Sequence, residues 1–282
     1  MCISNAARKA HDWEVPDTTY THGHDDSVLR SHRWRTALNS AAYLLPRLAP
    51  GQSLLDVGCG PGTITLDLAG VVAPGRAVGI DAATDVVDQA RAAAERAGVP
   101  VAFEVADMFA LPFADGSFDV VHAHQVLQHV ADPVAALVEM RRVCRPGGVV
   151  AARDGDYPAF AFAPDEPGLT RAIGAYGDLT RINNANWDAG RHLLGWAHAA
   201  GFADVTASAS TWCFSTEEDR EWWGGLWADR FAAPGSFLGS QLVAHGIADR
   251  ADLKAFGASW RRWASSPDGW FAVLHGEILA TA

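Results

Sequence analysis

Apolar positions along the middle of the chain, roughly from residue 53 to residue 155, alternate between short strand-like runs and longer stretches of helical periodicity. This alternation is typical of a parallel sheet whose faces are covered by helices. Continued to the end of the chain, the pattern predicts seven strands, at Ser53–Gly58, Ala77–Ala82, Val101–Val105, Phe118–Ala123, Val149–Arg153, Val205–Thr211 and Trp270–Leu279. The expected fold class is therefore α/β.

Helices are predicted between and after these strands. Thr84–Gly98 carries apolar residues at helical spacing and ends on a glycine that can stop a helix. Asp132–Cys144 begins with Asp132 and Pro133, which suit a helix cap and a first turn. Two more helical regions are Gly190–Ala200 and Thr216–Ser265. These helices would supply the layers that cover the sheet.

Aromatic residues are concentrated after the predicted core. Of the 11 tryptophans, nine lie from Trp187 onward, and residues 156–188 are rich in proline, glycine and aromatics. Since ligands bind at the carboxyl ends of strands in open α/β sheets, we expect helical, aromatic-rich insertions to fold over that edge as a cap. With 282 residues and 49% hydrophobic side chains, the chain is expected to form a single domain. Its parts would be an N-terminal helical arm (1–48), a core (49–155) and the cap with the rest of the sheet (156–282).

Charge and cysteine usage narrow the class of protein. A net charge of -11 and a pI near 5.4 provide no broad basic surface, so nucleic acid is not an expected partner. Four scattered cysteines without a CxxC pair favour a reducing cytoplasm. No apolar run reaches 18 residues, so we expect no stable membrane insertion. The oligomeric state is left open.

A glycine-rich run, DVGCGPG at 56–62, follows the first predicted strand and leads through Thr63 into a helical stretch. Glycine lets the backbone of a tight strand-to-helix turn approach a ligand closely. Nicotinamide enzymes use such a turn with a G-x-G-x-x-G spacing, which counted from Gly58 would require glycine where Thr63 stands. The spacing therefore counts against a nicotinamide-dependent oxidoreductase, which is kept as the alternative enzyme class.

Two carboxylates end predicted strands near this loop. Asp81, followed by Ala82, ends the second strand, and Asp107, followed by Met108, ends the third. A carboxylate there can accept hydrogen bonds from ribose hydroxyls or an adenine amino group, and a methionine can cover the adenine ring. A simpler interpretation makes Asp81 a helix cap and Asp107 a loop residue. Their shared position at the carboxyl ends of strands favours nucleotide binding.

Five sequence blocks follow one another between residues 54 and 148: LLDVGCGPG at 54–62, VGIDA at 78–82, VADMFALPFADGSFDVV at 105–121, HQVLQHVADP at 124–133 and RRVCRPGG at 141–148. In this order they resemble the class I methyltransferase family, and within it the ubiquinone/menaquinone-biosynthesis-like branch. The resemblance implies a Rossmann-like, mostly parallel sheet of seven strands with the last antiparallel. It also implies S-adenosylmethionine as the cofactor and methyl transfer as the activity.

The resemblance assigns individual residues to the cofactor. It implies contacts from Asp56, Gly58, Gly60, Gly62 and Thr63 in the loop, from Asp81 and Ala82 at the ribose, from Asp107 and Met108 at the adenine, and from Gln125 at the methionine end. A weaker similarity in the block at 19–45 places Tyr20 and Arg33 over the cofactor. The cofactor site is thus expected to draw on the arm as well as on the core.

Transfer of a methyl group from a sulfonium is an in-line displacement that proceeds readily once the acceptor atom is aligned about 3 Å away. A base is needed only where the acceptor must lose a proton. His122 and His124 are interpreted as core residues of the fourth strand. Candidate bases are His129, which follows Gln125 by about one helical turn, Asp154 and Tyr157. Because positioning alone can provide most of the acceleration, no single base is fixed.

Two groups of residues carry side chains of the types that bind metal ions. His22, His24, Asp25 and Asp26 offer nitrogen and oxygen ligands, and so do His122 and His124. Neither group has a recognised zinc spacing, so no metal is predicted.

The cap is expected to bind a small methyl acceptor, apolar or planar, that is methylated at O, N or C. Candidate substrate contacts are His24, Asn184, Trp187, Arg191 and Trp223. Aromatics at helical spacing are more often core than pocket, and Asn184 and Arg191 equally suit a turn and a helix start. A non-catalytic module that keeps the cofactor site is a further alternative.

Overall fold

The structure is a computed structural model that describes residues 20–21 and 26–282. Within these residues, eight strands form one sheet. They are β1 (Leu54–Val57), β2 (Ala77–Asp81), β3 (Val101–Val105), β4 (Phe118–His124), β5 (Cys144–Gly155), β6 (Ala161–Ala163), β7 (Val205–Phe214) and β8 (Trp270–Thr281). The seven predicted strands are all present, with ends that shift by a few residues.

The strand order is β3-β2-β1-β4-β5-β8-β6, and β7 pairs with β8 as well. The pairs among β1 to β5 are parallel, whereas β8 runs antiparallel to β5, β6 and β7. This confirms a Rossmann-like, mostly parallel sheet with an antiparallel last strand. The number of strands was wrong, because the short strand Ala161–Ala163 was not predicted. Three residues carry no periodic signal, and this strand exists only because it bonds to Trp270–Ala272 of β8.

Ten α-helices lie in the described part of the chain. They are α1 (Asp26–Arg33), α2 (Ala37–Ser40), α3 (Thr63–Val72), α4 (Thr84–Ala97), α5 (Pro133–Val143), α6 (Pro167–Ile182), α7 (Ala189–Ala199), α8 (Glu217–Ala232), α9 (Phe237–Ala244) and α10 (Arg250–Ser265). None of them is long and apolar enough to span a bilayer.

Local signals set several helix ends. The carboxylate of Asp132 accepts a hydrogen bond from the backbone N–H of Ala135 at 2.9 Å and so caps α5. Gly98 ends α4 with a positive φ of 63°. The single helical region predicted at Thr216–Ser265 is in fact three helices. Gly235 has a φ of 77° between α8 and α9, and Gly246 a φ of 68° before α10.

Two apolar layers cover the sheet. Successive side chains of β1 point to opposite faces of the sheet and so pack in different layers. Leu55 and Val57 pack with α5 and α7, whereas Leu54 packs with α2 and α3. A third cluster lies outside the sheet layers and is built mainly from aromatic side chains of α6, α8, α10, β7 and β8. Trp260 and Trp263 are at most 1% exposed within it. Most of the tryptophans late in the chain thus form the core of the cap.

Candidate functional site

A cavity of about 350 Å³ lies at the carboxyl ends of β1 to β4. We call it the first cavity. Its walls come from the loop after β1, the ends of β2 and β3, the turn after β4 and the arm. The residues of the cofactor prediction that line it are Tyr20, Asp56, Gly58, Gly60, Thr63, Asp81, Ala82, Asp107, Met108 and Gln125. Its volume lies in the range of small-molecule sites, about 300–1,000 Å³.

The glycine loop needs its glycines for two different reasons. Gly58, Gly60 and Gly62 have φ values of 67°, 55° and 84°, a region that disfavours other residues. A Cβ on Gly58 would lie 2.4 Å from Val126 Cγ2, and a Cβ on Gly62 would lie 2.8 Å from the Phe103 ring. A Cβ on Gly60 would meet nothing closer than 3.8 Å. Two glycines therefore permit packing, and Gly60 leaves its backbone open to a ligand.

Asp81 holds this loop and faces the first cavity at the same time. One carboxylate oxygen accepts a hydrogen bond from the N–H of Gly60 at 3.1 Å, and the other accepts from the N–H of Ala83 at 3.1 Å. Ala83 is the N-cap of α4 and no side chain caps that helix, so the simpler interpretation of Asp81 as a helix cap was wrong. Each oxygen keeps a lone pair that a ribose hydroxyl can use.

Asp107 occupies the corresponding place after β3. One carboxylate oxygen accepts from the N–H of Phe109 at 2.9 Å, and the residue is exposed at the rim of the first cavity beside Met108. The carboxylate therefore orders its loop and leaves its second oxygen available to a ligand.

Asp56 lies beneath the loop and is only 3% exposed. Its carboxylate accepts from Thr65 Oγ1 at 2.5 Å and pairs with His122 Nδ1 at 2.8 Å. These contacts make Asp56 a support of the loop, although it also lines the first cavity. Thr63 lines the cavity too, and its hydroxyl donates to the carbonyl of His32 in the arm at 3.2 Å.

The arm contributes one of the two expected residues to the first cavity. Tyr20 lines the first cavity and its ring contacts that of His129 edge-on, with centroids 4.7 Å apart. Arg33 does not line the cavity, so its contact with the cofactor stays a prediction that the structure does not support. It is exposed at the end of α1 and donates to Gln89 Oε1 of α4 at 3.5 Å. Arg35, two residues further on, enters the cavity instead, because the chain leaves the helix between them.

Arg35 donates from Nη2 to Gln125 Oε1 at 2.6 Å. Its Nε is buried and has no hydrogen-bond partner among the residues that the structure describes. Burial lowers the pKa of this guanidinium to about 10, which still leaves it charged at neutral pH. Arg35 therefore brings a charged guanidinium to the wall of the cavity near Gln125, with its Nε buried.

A second cavity of about 20 Å³ lies beside the first, and the two share the lining residues Tyr20, His32, Arg35, Gln125 and His129. Seven Phe, Trp and Tyr side chains line it, Tyr20, Trp34, Tyr157, Phe160, Trp212, Trp222 and Trp223. Arg230 of α8 also reaches it, and none of its described lining residues is Asp or Glu. The volume holds about one water molecule. An acceptor of ring size thus requires the lining to move.

The three predicted bases lie in three different environments. His129 lies at the junction of the two cavities, where burial and Arg35 lower its pKa to about 3. Tyr157 lines the second cavity, and burial raises its pKa. Asp154 lines neither cavity. Its carboxylate accepts from the N–H of Gln128 at 3.1 Å and secures the turn after β4, so direct contact with substrate is not supported.

Of the predicted substrate contacts, Trp223 lines the second cavity. Trp187 packs beneath the Arg181 guanidinium, 5.0 Å from its ring centroid, and Asn184 is exposed after α6 with a φ of 53°. Arg191 binds both oxygens of Asp156, at 2.6 and 2.5 Å. These three residues line neither cavity, because packing, a turn and an ion pair engage them elsewhere, and their contact with substrate stays a prediction. His24 lies outside the described residues.

Sequence reasoning missed residues that the structure brings to the site. His124 lines the first cavity with both ring nitrogens unpartnered in the described part of the chain, and burial and Arg153 hold its pKa well below 6.5. His275 of β8 lies against Gln125. Alternation along β4 identified His124 as buried, but no local signal connects it or His275 to the cavity. Among the described residues, no group of three or more His, Cys, Asp or Glu side chains could hold a metal ion.

Comparison with known proteins identifies the class. Residues 55–152 match the family model described as a methyltransferase domain. An uncharacterized methyltransferase of Schizosaccharomyces pombe is 33% identical over 269 residues, which cover 92% of this chain and 95% of that protein. The chain therefore belongs to the methyltransferase domain family. It is an S-adenosylmethionine-dependent methyltransferase.

Two further similarities bear on the branch and the fold. The ubiquinone/menaquinone biosynthesis C-methyltransferase UbiE of Bdellovibrio bacteriovorus is 38% identical over 100 residues, which cover 36% of this chain and 43% of that protein. A match of this extent supports the family and leaves the branch open. The YcgJ protein of Bacillus subtilis shares the fold, with a TM-score of 0.57 at 19% identity over 85% of this chain and 96% of that one.

Proposed function

We propose that this enzyme methylates a small planar metabolite at an oxygen that is bound as an anion, such as a phenolate. One observation carries the proposal. The second cavity lies beside the first, is walled by aromatic rings and is lined by Arg35 and Arg230, with no acidic side chain among its described lining residues. Aromatic walls suit a planar ring, and guanidinium groups suit a negative charge.

The residues of the first cavity fit S-adenosylmethionine. Asp81 offers two oxygens to ribose hydroxyls, and Asp107 with Met108 offers an acceptor and an apolar cover to the adenine. The open backbone at Gly60 admits close approach. The Arg35 guanidinium, which lines the cavity, suits the carboxylate of the methionine part. When bound, the cofactor supplies a methyl group on a positively charged sulfur.

The titratable groups favour an acceptor that arrives ionised. His129 is at the junction of the cavities, but with a pKa of about 3 it is neutral and a weak base at pH 7. Asp154, whose pKa burial raises to about 7, would be a better base but lines neither cavity. His129 and Tyr157 therefore orient the acceptor by hydrogen bonding, and alignment provides most of the acceleration.

Arg230 supports the ionised form of the acceptor. It is 5% exposed, its guanidinium carbon lies 4.9 Å from the Trp227 ring centroid, and its Nη2 donates to Ser31 Oγ at 2.8 Å. A buried cation lowers the pKa of a neighbouring hydroxyl and stabilises its anion. Ser31 also ties this arginine to α1 of the arm. The arm forms one wall of the small second cavity, so its displacement from α8 would admit the acceptor.

Incubation with methyl-labelled cofactor and an extract of the source cells tests the proposal. We expect one labelled product whose mass spectrum places the methyl group on oxygen. Methylation at carbon or nitrogen would contradict the assignment of the acceptor. Cofactor binding without any labelled product would instead indicate a non-catalytic module.

A further inference from the structure

A buried chain of hydrogen bonds connects the last strand of the sheet to the arm through the first cavity. His275 of β8 is 0% exposed, and its Nε2 lies 2.8 Å from the Nε2 of Gln125, 150 residues earlier in the sequence. The Oε1 of Gln125 in turn accepts from Arg35 Nη2 at 2.6 Å. Three elements that are distant in the sequence thus meet at one amide group.

The direction of each hydrogen bond follows from the groups at the two ends of the chain, the carbonyl of Val273 and the guanidinium of Arg35. His275 Nδ1 lies 3.1 Å from the carbonyl oxygen of Val273, which can only accept, so Nδ1 carries the proton. Burial, Arg153 and Arg35 hold the pKa of this ring well below 6.5, so the imidazole is neutral and its Nε2 only accepts. Gln125 must therefore donate from its NH2 group to His275, and its oxygen must face Arg35.

The opposite orientation of the Gln125 amide would place its NH2 group against the guanidinium, donor against donor. Gln125 has little freedom to avoid this by moving its backbone. It has a φ of 52°, and its N–H donates to the carbonyl of Arg153 at 2.7 Å. With the oxygen correctly placed, Nη2 of Arg35 is fixed on Gln125 and Nε is left without a partner in the described structure.

We propose that His275 is a positioning residue: through Gln125 it fixes the Arg35 guanidinium so that Arg35 binds the carboxylate of the cofactor's methionine part. This rests on the placement of S-adenosylmethionine in the proposed function. The acceptor plays no part in it, so it can be tested with cofactor analogues alone.

Two probes separate this role from general stability. S-adenosylhomocysteine carries the amino acid carboxylate, whereas 5′-methylthioadenosine has the same nucleoside and thioether without it. Calorimetry measures the dissociation constant of each probe. We expect Arg35→Ala and His275→Leu each to raise the dissociation constant of S-adenosylhomocysteine at least about tenfold, and to change that of 5′-methylthioadenosine by less than about twofold. The double variant should be little weaker than either single one, since both changes disable the same contact.

Two matched variants complete the test. His275→Gln places an amide oxygen near the position of Nε2 and should restore most of the affinity for S-adenosylhomocysteine. Ile278→Ala perturbs the same strand at a buried position in the apolar layer that packs on the sheet. It should leave the ratio of the affinities for S-adenosylhomocysteine and 5′-methylthioadenosine unchanged.

Three results would overturn the proposal. The first is an equal loss of affinity for both probes in His275→Leu. The second is no loss of affinity for either probe in that variant. The third is full affinity for S-adenosylhomocysteine in Arg35→Ala. In each case the unaltered chain would still bind cofactor and transfer methyl groups, so the proposed function would stand. Failure of the unaltered chain to bind either probe would contradict the proposed function itself, and with it this role of His275.

Discussion

His122 Nδ1 lies 2.8 Å from Asp56 Oδ1 across the parallel pair β1 and β4, directly beneath the glycine loop. Both residues are almost fully buried, and Thr65 of α3 donates to the second oxygen of the same carboxylate. Asp56 therefore joins two strands and a helix at the point where the chain turns into the first cavity. The carboxylate is needed for the loop's foundation more than for ligand contact.

Replacing this carboxylate should destabilise the protein. Asp56→Ala leaves the buried side chains of His122 and Thr65 without their acceptor, so we expect the free energy of unfolding to fall by about 2–4 kcal/mol. Urea unfolding followed by tryptophan fluorescence measures the change. The exposed Asp85→Ala on α4 is the control and should stay within about 0.5 kcal/mol of the unaltered chain. A small effect at Asp56 would show that water replaces the carboxylate.

Asp81 provides a test of the cofactor site. Asp81→Ala removes the two acceptors for the ribose and the contact to Gly60 N–H, so we expect the dissociation constant for S-adenosylmethionine to rise about thirtyfold, on the order of 2 kcal/mol. Asp81→Asn keeps one acceptor and should lose less. Calorimetry measures both, with the exposed Asp88→Ala as the matched control. Unchanged affinity in Asp81→Ala would mean that the ribose binds elsewhere.

Asp154 predicts an unusual dependence of stability on pH. Burial raises the pKa of its carboxyl to about 7, well above the unfolded value of about 3.9. The folded state therefore holds a proton that the unfolded state has already lost. The resulting contribution to the free energy of unfolding is fully present below about pH 4. The contribution is lost as pH rises from about 4 to about 7, and it amounts to roughly 1–4 kcal/mol.

The matched variant is Asp154→Asn, which keeps an oxygen to accept from the N–H of Gln128 and has no charge to lose. Unfolding free energies of the two proteins, measured in urea between pH 4 and pH 8, should diverge as the pH rises from about 4 to about 7 and run parallel above it, with the variant the more stable at pH 8. Parallel pH profiles would show that Asp154 ionises normally in the folded chain.

The cofactor half of the site could be predicted because its residues are local in the sequence. Gly58, Asp81 and Asp107 each follow a strand, and the carboxyl ends of parallel strands converge on one edge of the sheet. A strand end and the residue after it are visible in the sequence pattern. The core of the fold and the strand-end residues of the first cavity therefore followed from those patterns.

The other half depends on tertiary contacts that no local pattern reports. Whether Arg33 or Arg35 enters the cavity is decided by the residue at which α1 ends. Arg191 suited either a substrate contact or a helix start, and in the structure it pairs with Asp156 and lines neither cavity. His275 reaches Gln125 only because β8 is inserted antiparallel beside β5.

Arg230 tests the charge that we propose for the acceptor. Arg230→Met preserves much of the apolar contact with Trp227 but removes the cation from the second cavity, so kcat/KM for the acceptor identified in the cell extract should fall at least about tenfold, or 1.4 kcal/mol. Affinity for S-adenosylmethionine should not change, since Arg230 does not line the first cavity. Arg261→Met is the control, because Arg261 is exposed and pairs with the neighbouring Asp229 at 3.2 Å.

Arg230→Lys keeps the charge and should retain more activity than Arg230→Met. Equal activity of both Arg230 variants would refute an anionic acceptor, because the loss would then follow from shape alone.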